Sequence, residues 1–160
     1  MDRFVVLWLA VIVIGGILGA NVYTSAVDAR NWGANLPTSL TAARSYFSAA
    51  NPGSFFRVAS PLAQVLSLLA LILCWNVPGA RLLAGVAVAA NVTGDLMTFA
   101  YFYPRNAIMF TNPMNADAAA QAWRGWTAMN HLRSAVVLAA LLAELATLTR
   151  VAQFTSLGRG

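Results

Sequence analysis

The chain has no lysine, one histidine and one cysteine, and only 9% of its 160 residues are charged. Each shortage excludes something. A soluble domain carries about 25% charged residues. A chain with 59% hydrophobic residues and so few charges is read instead as an integral membrane protein, with residues 1–160 as a single domain. Without lysine, the net charge of +5 comes entirely from arginines. These are scattered, with no basic block, which excludes a polybasic nucleic-acid surface. Cys74 alone forms neither an intrachain disulfide nor a Cys-x-x-Cys redox pair, and its apolar surroundings give it a packing role. One His and one Cys do not furnish a dedicated zinc site, and bis-histidine haem ligation within one chain is excluded. No metal is therefore expected. Internal repeats and low-complexity segments are also lacking.

Four apolar segments are present. Phe4 to Val22 follows Met1-Asp2-Arg3 and runs for about 19 residues, longer than a signal-peptide core and long enough to span a bilayer. It reads as the first transmembrane helix. Gly15, Gly16 and Gly19 offer it a small-residue face for close packing. Asn21, near its far end, is either interfacial or a donor pointing into the bundle. Tyr23 to Arg57 is too long for a plain turn, and a loop of that length is often a lid or part of a site. Within it, Thr41 to Ala50 suits a short helix lying on the membrane, with Tyr46 and Phe47 turned toward it.

Pro61 to Trp75 is the apolar centre of a second span. Asn76-Val77-Pro78-Gly79 is a tight turn, so the third span, Ala80 to Tyr103, makes an antiparallel hairpin with the second. Thr111 to Asn115 breaks the chain again, and Asn115 suits a helix N-cap with Asp117 in the first turn. The last helical pattern reaches about Ala152. At about 1.5 Å per residue it exceeds the roughly 30 Å of a bilayer core, so it projects from the membrane or bends near Gly125. The expected helices cover about 4–27, 58–76, 80–103 and 116–152. The fold expected is an all-α, four-helix transmembrane bundle with both long connections on one side of the membrane, followed by a polar tail, Thr155 to Gly160.

Arginine density (Arg3, Arg81, Arg150 and Arg159 on short segments) favours a cytoplasmic N-terminus, although raw count favours the other side. The location expected is a bacterial inner (cytoplasmic) membrane.

Polar residues concentrate in two stripes. Trp126, Asn130, Arg133 and Val137 fall on one face of the last helix, spaced four, three and four. Arg124, Ala128, His131 and Ala135 form the neighbouring stripe. Asn91, Asp95, Thr98 and Phe102 repeat the spacing on the third helix. Ionisable groups inside a membrane are costly and mark functional sites by default; helix-to-helix hydrogen bonding and interfacial anchoring are the plain alternatives. Measured from Tyr103, Asp95 lies about 12 Å deep, and measured from Trp126, Arg133 lies about 10 Å deep. Opposite charges at matching depth suggest a buried pair. Glu144, about 27 Å beyond Trp126, reads as interfacial, facing Arg3 or Arg81.

Four membrane helices, Pro104-x-Asn106 after the third, and Arg124-x-Trp126-x-x-x-Asn130-x-x-Arg133 opening the fourth resemble the anthrone oxygenase-like membrane proteins, most of which form a domain of unknown function. The resemblance implies a cofactor-independent oxidation of a polycyclic anthrone by dioxygen. That chemistry suits these residues. A phenolic substrate must lose a proton, and His131 is the candidate base because an unperturbed imidazole titrates near neutrality. Arg133 and Asn130 would hold the oxyanion, and Asp95 would orient His131 or Arg133. Asn91, Asn21, Arg124 and Asn106 complete the polar lining. Trp126, Tyr101 and Tyr103 would stack on a flat ring system. The expected partners are a planar aromatic small molecule and the lipid bilayer. A structural or accessory subunit of a membrane complex, a homo-oligomer and a small-molecule carrier stay open.

Overall fold

The computed structural model describes residues 2–157. Arg159, counted above as a topology signal, and the end of the polar tail lie outside them. The described residues are helical, without strands. Helix α1 (Arg3–Tyr23) starts at Asp2, whose carboxylate accepts the Phe4 N–H at 2.8 Å and so caps an orphan donor. It does not stop in the expected place. It passes through a π-helical segment, Thr24–Asp28, into α2 (Ala29–Gly33). Helix α3 (Thr38–Tyr46) follows, then α4 (Pro52–Leu73), with Pro52 at a first-turn position where a missing N–H is harmless. Helix α5 (Ala80–Met97) likewise continues through a π-helical segment, Thr98–Phe102, into α6 (Tyr103–Met109). Helix α7 (Ala116–Leu157) is capped as expected, the Asn115 side chain accepting the Ala118 N–H at 3.0 Å. It runs unbroken through Gly125, and Thr155, assigned to the tail, is helical.

Four of these continuous helical runs are long and apolar enough to cross a membrane. They form a bundle with residues 34–51 and 110–115 connecting them at one end and residues 74–79 at the other. The buried positions of α7 alternate in steps of four and three from Trp126 through Asn130, Arg133, Val137, Ala140, Glu144, Thr147 and Val151. That is the seam of a left-handed, near-antiparallel packing. Helix α5 meets it with Ala80, Ala84, Ala87 and Gly94, small residues that let two backbones approach. Gly15, Gly16 and Gly19 do not play that role. A side chain at Gly15 or Gly19 would meet nothing, and one at Gly16 would meet only the Phe55 ring edge. Small residues create a close contact only where a neighbour faces them, and here the neighbours face α5.

The core is layered along the bundle axis. At the turn end, Val6, Leu7, Ala10, Leu66, Ala70, Cys74, Val77, Ala80 and Val151 form one apolar cluster. Ile14, Ile17, Ala59, Ala63, Val137 and Ala140 form a second in the middle. At the loop end, Trp32, Leu40, Phe102, Met109, Ala119, Ala122 and Trp126 form an aromatic cap. Trp126 stands edge-on to both Trp32 (5.2 Å between centroids) and Phe102 (5.3 Å). Trp123 donates its indole N–H to the Ala29 carbonyl at 2.8 Å, and its ring fills the space where a side chain on Gly33 would stand. Only glycine tolerates that approach. The short helix expected at Thr41–Ala50 sits earlier, and its buried anchor is Leu40; Tyr46 is 82% exposed.

Candidate functional site

Between the aromatic cap and the middle cluster lies a polar layer built from four helices. Arg133 is 7% exposed. Its guanidinium donates to Asn130 Oδ1 at 2.6 Å and Thr98 Oγ1 at 3.4 Å, and lies 4.0 Å over the Phe102 ring. A desolvated cation on an aromatic face contributes about 2 kcal/mol. Asn130, fully buried, donates to Ser25 Oγ at 2.6 Å and to the Asn21 carbonyl oxygen at 3.2 Å. Asp95 accepts from the Gln64 amide of α4. Both π-helical segments adjoin this layer, Ser25 belonging to one and Thr98 to the other. A π-turn shifts the carbonyls of the helix ladder, and such turns recur at functional sites.

The layer brings together Asn21, Asp95, Asn130 and Arg133, with Asn91 a turn deeper. The expected Asp95–Arg133 pair takes a different form. Both line one cavity, together with Asn21, Ser60, Asn91 and Thr98. The guanidinium's hydrogen bonds nevertheless go to Asn130 and Thr98, and the carboxylate's to Gln64. Neutral groups, one on the adjacent turn of α7 and two on neighbouring helices, reach each charge first. Asn21 Oδ1 and Arg133 Nε have no protein partner. The cavity measures about 20 Å³. That is room for one water and no substrate.

Other expected site residues stand apart. His131 is exposed, as are Arg124, Ala128 and Ala135 of the same stripe. One residue along a helix is a rotation of about 100°, so the neighbour of the buried Asn130 faces outward. His131 is therefore no part of this layer. Trp126 belongs to the aromatic cap, its indole N–H unpartnered. Tyr101 donates to the Gly125 carbonyl at 3.2 Å while the Arg105 guanidinium lies 3.4 Å over its ring. Tyr103 is exposed beside Phe99, and Asn106 is half-buried on α6. None of Arg124, Trp126, Tyr101, Tyr103 or Asn106 lines the cavity.

A larger space opens on the other side of Phe56. It is a groove of about 400 Å³ at the loop end, between α1 and the start of α4. Tyr23, Tyr46, Phe47, Phe55 and Phe56 wall it, and Asp28 is its one charged lining group. Phe56 lines the small cavity as well, with the Arg133 guanidinium 5.5 Å from its ring. One aromatic side chain thus partitions an open apolar groove from the buried cation. Gln64, Ser25, Phe56 and Asp28 were not singled out in the sequence. Gln64 carried a usable signal, a lone amide in the apolar run of the second span. The others had none, because their neighbours come from distant segments. Among the described residues, no group of His, Cys, Asp and Glu is placed to hold a metal ion.

No family model, curated protein or solved structure matches the chain.

Proposed function

We propose that the protein is a membrane-embedded binding protein for a planar, largely apolar small molecule, and that the ligand lies in the groove at the loop end. The observation that carries this is the groove itself. Its volume falls in the range of small-molecule sites, about 300–1,000 Å³, and its lining is aromatic with few polar groups. Flat aromatic walls favour flat ligands through offset and edge contacts.

The oxygenase chemistry implied by the resemblance has a place here in altered form. A phenolic ligand in the groove meets Asp28 as its proton acceptor, because His131 faces outward. Arg133, behind Phe56, is the cation toward which a developing oxyanion would turn. The second reading is a non-catalytic accessory subunit. It is favoured by the hydrogen bonds among Arg133, Asn130, Ser25, Thr98, Asp95, Gln64, Asn91 and Ser67 across four helices, which is what helix-to-helix adhesion requires.

Anthrone, added to the full chain in lipid nanodiscs, separates these readings. Binding is followed by tryptophan quenching and turnover by dioxygen uptake. Anthrone is expected to bind, and Phe55→Ala or Tyr46→Ala to weaken it about tenfold, or about 1.4 kcal/mol. Asp28→Asn should lower dioxygen uptake while leaving binding intact. Affinity unchanged in both aromatic variants would remove the groove as the site. Uptake unchanged by Asp28→Asn would remove the catalytic part. Copurification of a stoichiometric partner without anthrone binding would establish the accessory role.

A further inference from the structure

A second polar layer lies between the middle cluster and the turn-end cluster, and the groove makes no use of it. Its centre is Glu144. The side chain is fully buried, and neither carboxyl oxygen has a hydrogen-bond partner in the protein. The expected facing toward Arg3 or Arg81 is thus not formed. Glu144 continues the four-and-three seam of α7 into the bundle, and depth alone does not reveal which face a residue takes.

An ionised carboxylate in apolar surroundings costs far more than one bundle hydrogen bond returns, unless something compensates the charge. The surroundings offer little. Helix α1 lines this end with Val6, Leu7 and Ala10. Thr147, one turn along α7, spends its hydroxyl on the Ala143 carbonyl at 2.8 Å. Helix α4 contributes Ser67, near the carboxyl but outside hydrogen-bond geometry, and the turn after it contributes the buried Cys74. The Arg3 guanidinium of α1 is itself engaged by Thr155 Oγ1 at 2.9 Å, about 16 Å further along α7. Helix α5 presents neutral Asn91 here and Asp95 one turn above. No set of metal-ligating groups surrounds the site among the described residues.

The one ligand a lone, buried carboxyl is built to take is a proton; Ser67 and Glu144 do not line the small cavity, but one hydrogen bond ties Ser67 to a residue that does. Asn91 lines the small cavity and donates its amide to Ser67 Oγ at 3.0 Å. With its oxygen held as an acceptor, Ser67 keeps its own hydroxyl proton free to give. Gln64 and Ser67 are three residues apart on α4, Asn91 and Asp95 four apart on α5, so the two bridged pairs stack directly. We propose that Glu144 is a proton-binding site, loaded and emptied through the Ser67 hydroxyl from the Asp95 cavity. In loading, Ser67 gives its proton to the Glu144 carboxylate: an O–H bond forms at Glu144 and one breaks at Ser67. In the same concerted step Ser67 Oγ takes a proton from a hydronium ion that enters from the cavity past Asn91 and is left as water; emptying reverses the sequence, and neither an alkoxide nor a hydroxide is formed. Asn91 is a positioning residue, because it only fixes the Ser67 oxygen.

Infrared difference spectroscopy of the full chain in nanodiscs, in H2O and D2O, tests this. A protonated-carboxyl band is expected that shifts on deuteration and is missing from Glu144→Gln. Ser67→Ala should keep the band and slow its deuteration about tenfold. The wild-type chain offers a second measurement that needs no variant. A hydrophobic carbodiimide, which adds to protonated carboxyls in apolar surroundings, should label Glu144 in a peptide map. A wild-type chain with no such band and no label at Glu144 would overturn the site. A band that never deuterates would overturn the exchange, and wild-type deuteration in Ser67→Ala would overturn the route.

Discussion

The bundle buries two charged side chains on one seam of one helix, about 16 Å apart, and treats them in opposite ways. Around Arg133, Asn130 and Thr98 accept hydrogen bonds, Phe102 supplies an aromatic face, and Asn130 ties the cluster to Ser25 on the first span. Around Glu144 stand the apolar turn-end cluster, a serine and a cysteine, and both oxygens lack partners. The first layer resembles a fastening. A charge bonded directly to one neighbouring helix, and through Asn130 to another, fixes their register and azimuth. The second cannot fasten anything, because it holds no helix. A group that is costly to bury and contributes no cohesion is kept for something else that it does, and the difference between the layers is therefore a difference between architecture and activity.

That contrast can be broken by measuring unfolding free energy in lipid for substitutions at matched positions. The largest effect is expected for Arg133→Leu. It leaves Asn130 and Thr98 without their partner and Asp95 without a nearby cation, at about 3–5 kcal/mol of lost stability. A loss below 1 kcal/mol would mean that the upper layer is no fastening. Glu144→Leu should move the other way, a gain of about 1–3 kcal/mol as an unpartnered polar group is removed from an apolar site. Destabilisation of that size would show that the carboxyl has a structural partner after all. Gln64→Leu removes the amide from Asp95 and should cost about 1 kcal/mol, in line with hydrogen bonds between membrane helices. His131→Ala, outside both layers, should stay within about 0.5 kcal/mol of wild type and leave anthrone binding unchanged. A tenfold loss of binding would return His131 to the site.

Much of the architecture could be read from periodicity. Apolar length gave the four spans, and Asn76 to Gly79 gave the hairpin. The stripe of Trp126, Asn130, Arg133 and Val137 is the buried seam, and the neighbouring stripe holding His131 is the exposed one. The expected site joins the two stripes, whereas adjacent positions on a helix diverge by about 100°. Continuing the same seam by steps of three and four reaches Ala140 and Glu144, so the burial of Glu144 was legible too. It was masked by a depth estimate that placed the residue at an interface. The groove was not legible in its assembled form. Its walls come from the end of α1, the end of α3 and the start of α4, and no spacing rule links Asp28, Tyr46 and Phe55. The π-helical segments also lacked a signal, since no residue type marks a wide turn.

Those two segments carry a consequence of their own. On the first span the buried positions step regularly from Leu7 through Ala10, Ile14, Ile17, Asn21 and Thr24, then jump by five residues to Ala29 before resuming at Trp32. The π-turn acts as a one-residue phase shift. It lets a single continuous rod present one azimuth to the polar layer and another to the aromatic cap. The interruption at Thr98–Phe102 stands at the same level of the bundle, so the two rods change phase together. Deleting a residue such as Ala26 would restore an ordinary helix and swing everything beyond it, Trp32 included, by about 100° against its neighbours. The loop end of this molecule is in that sense indexed to the rest by counting, and a change of length in either rod would unseat the cap while leaving every residue of the membrane core in place.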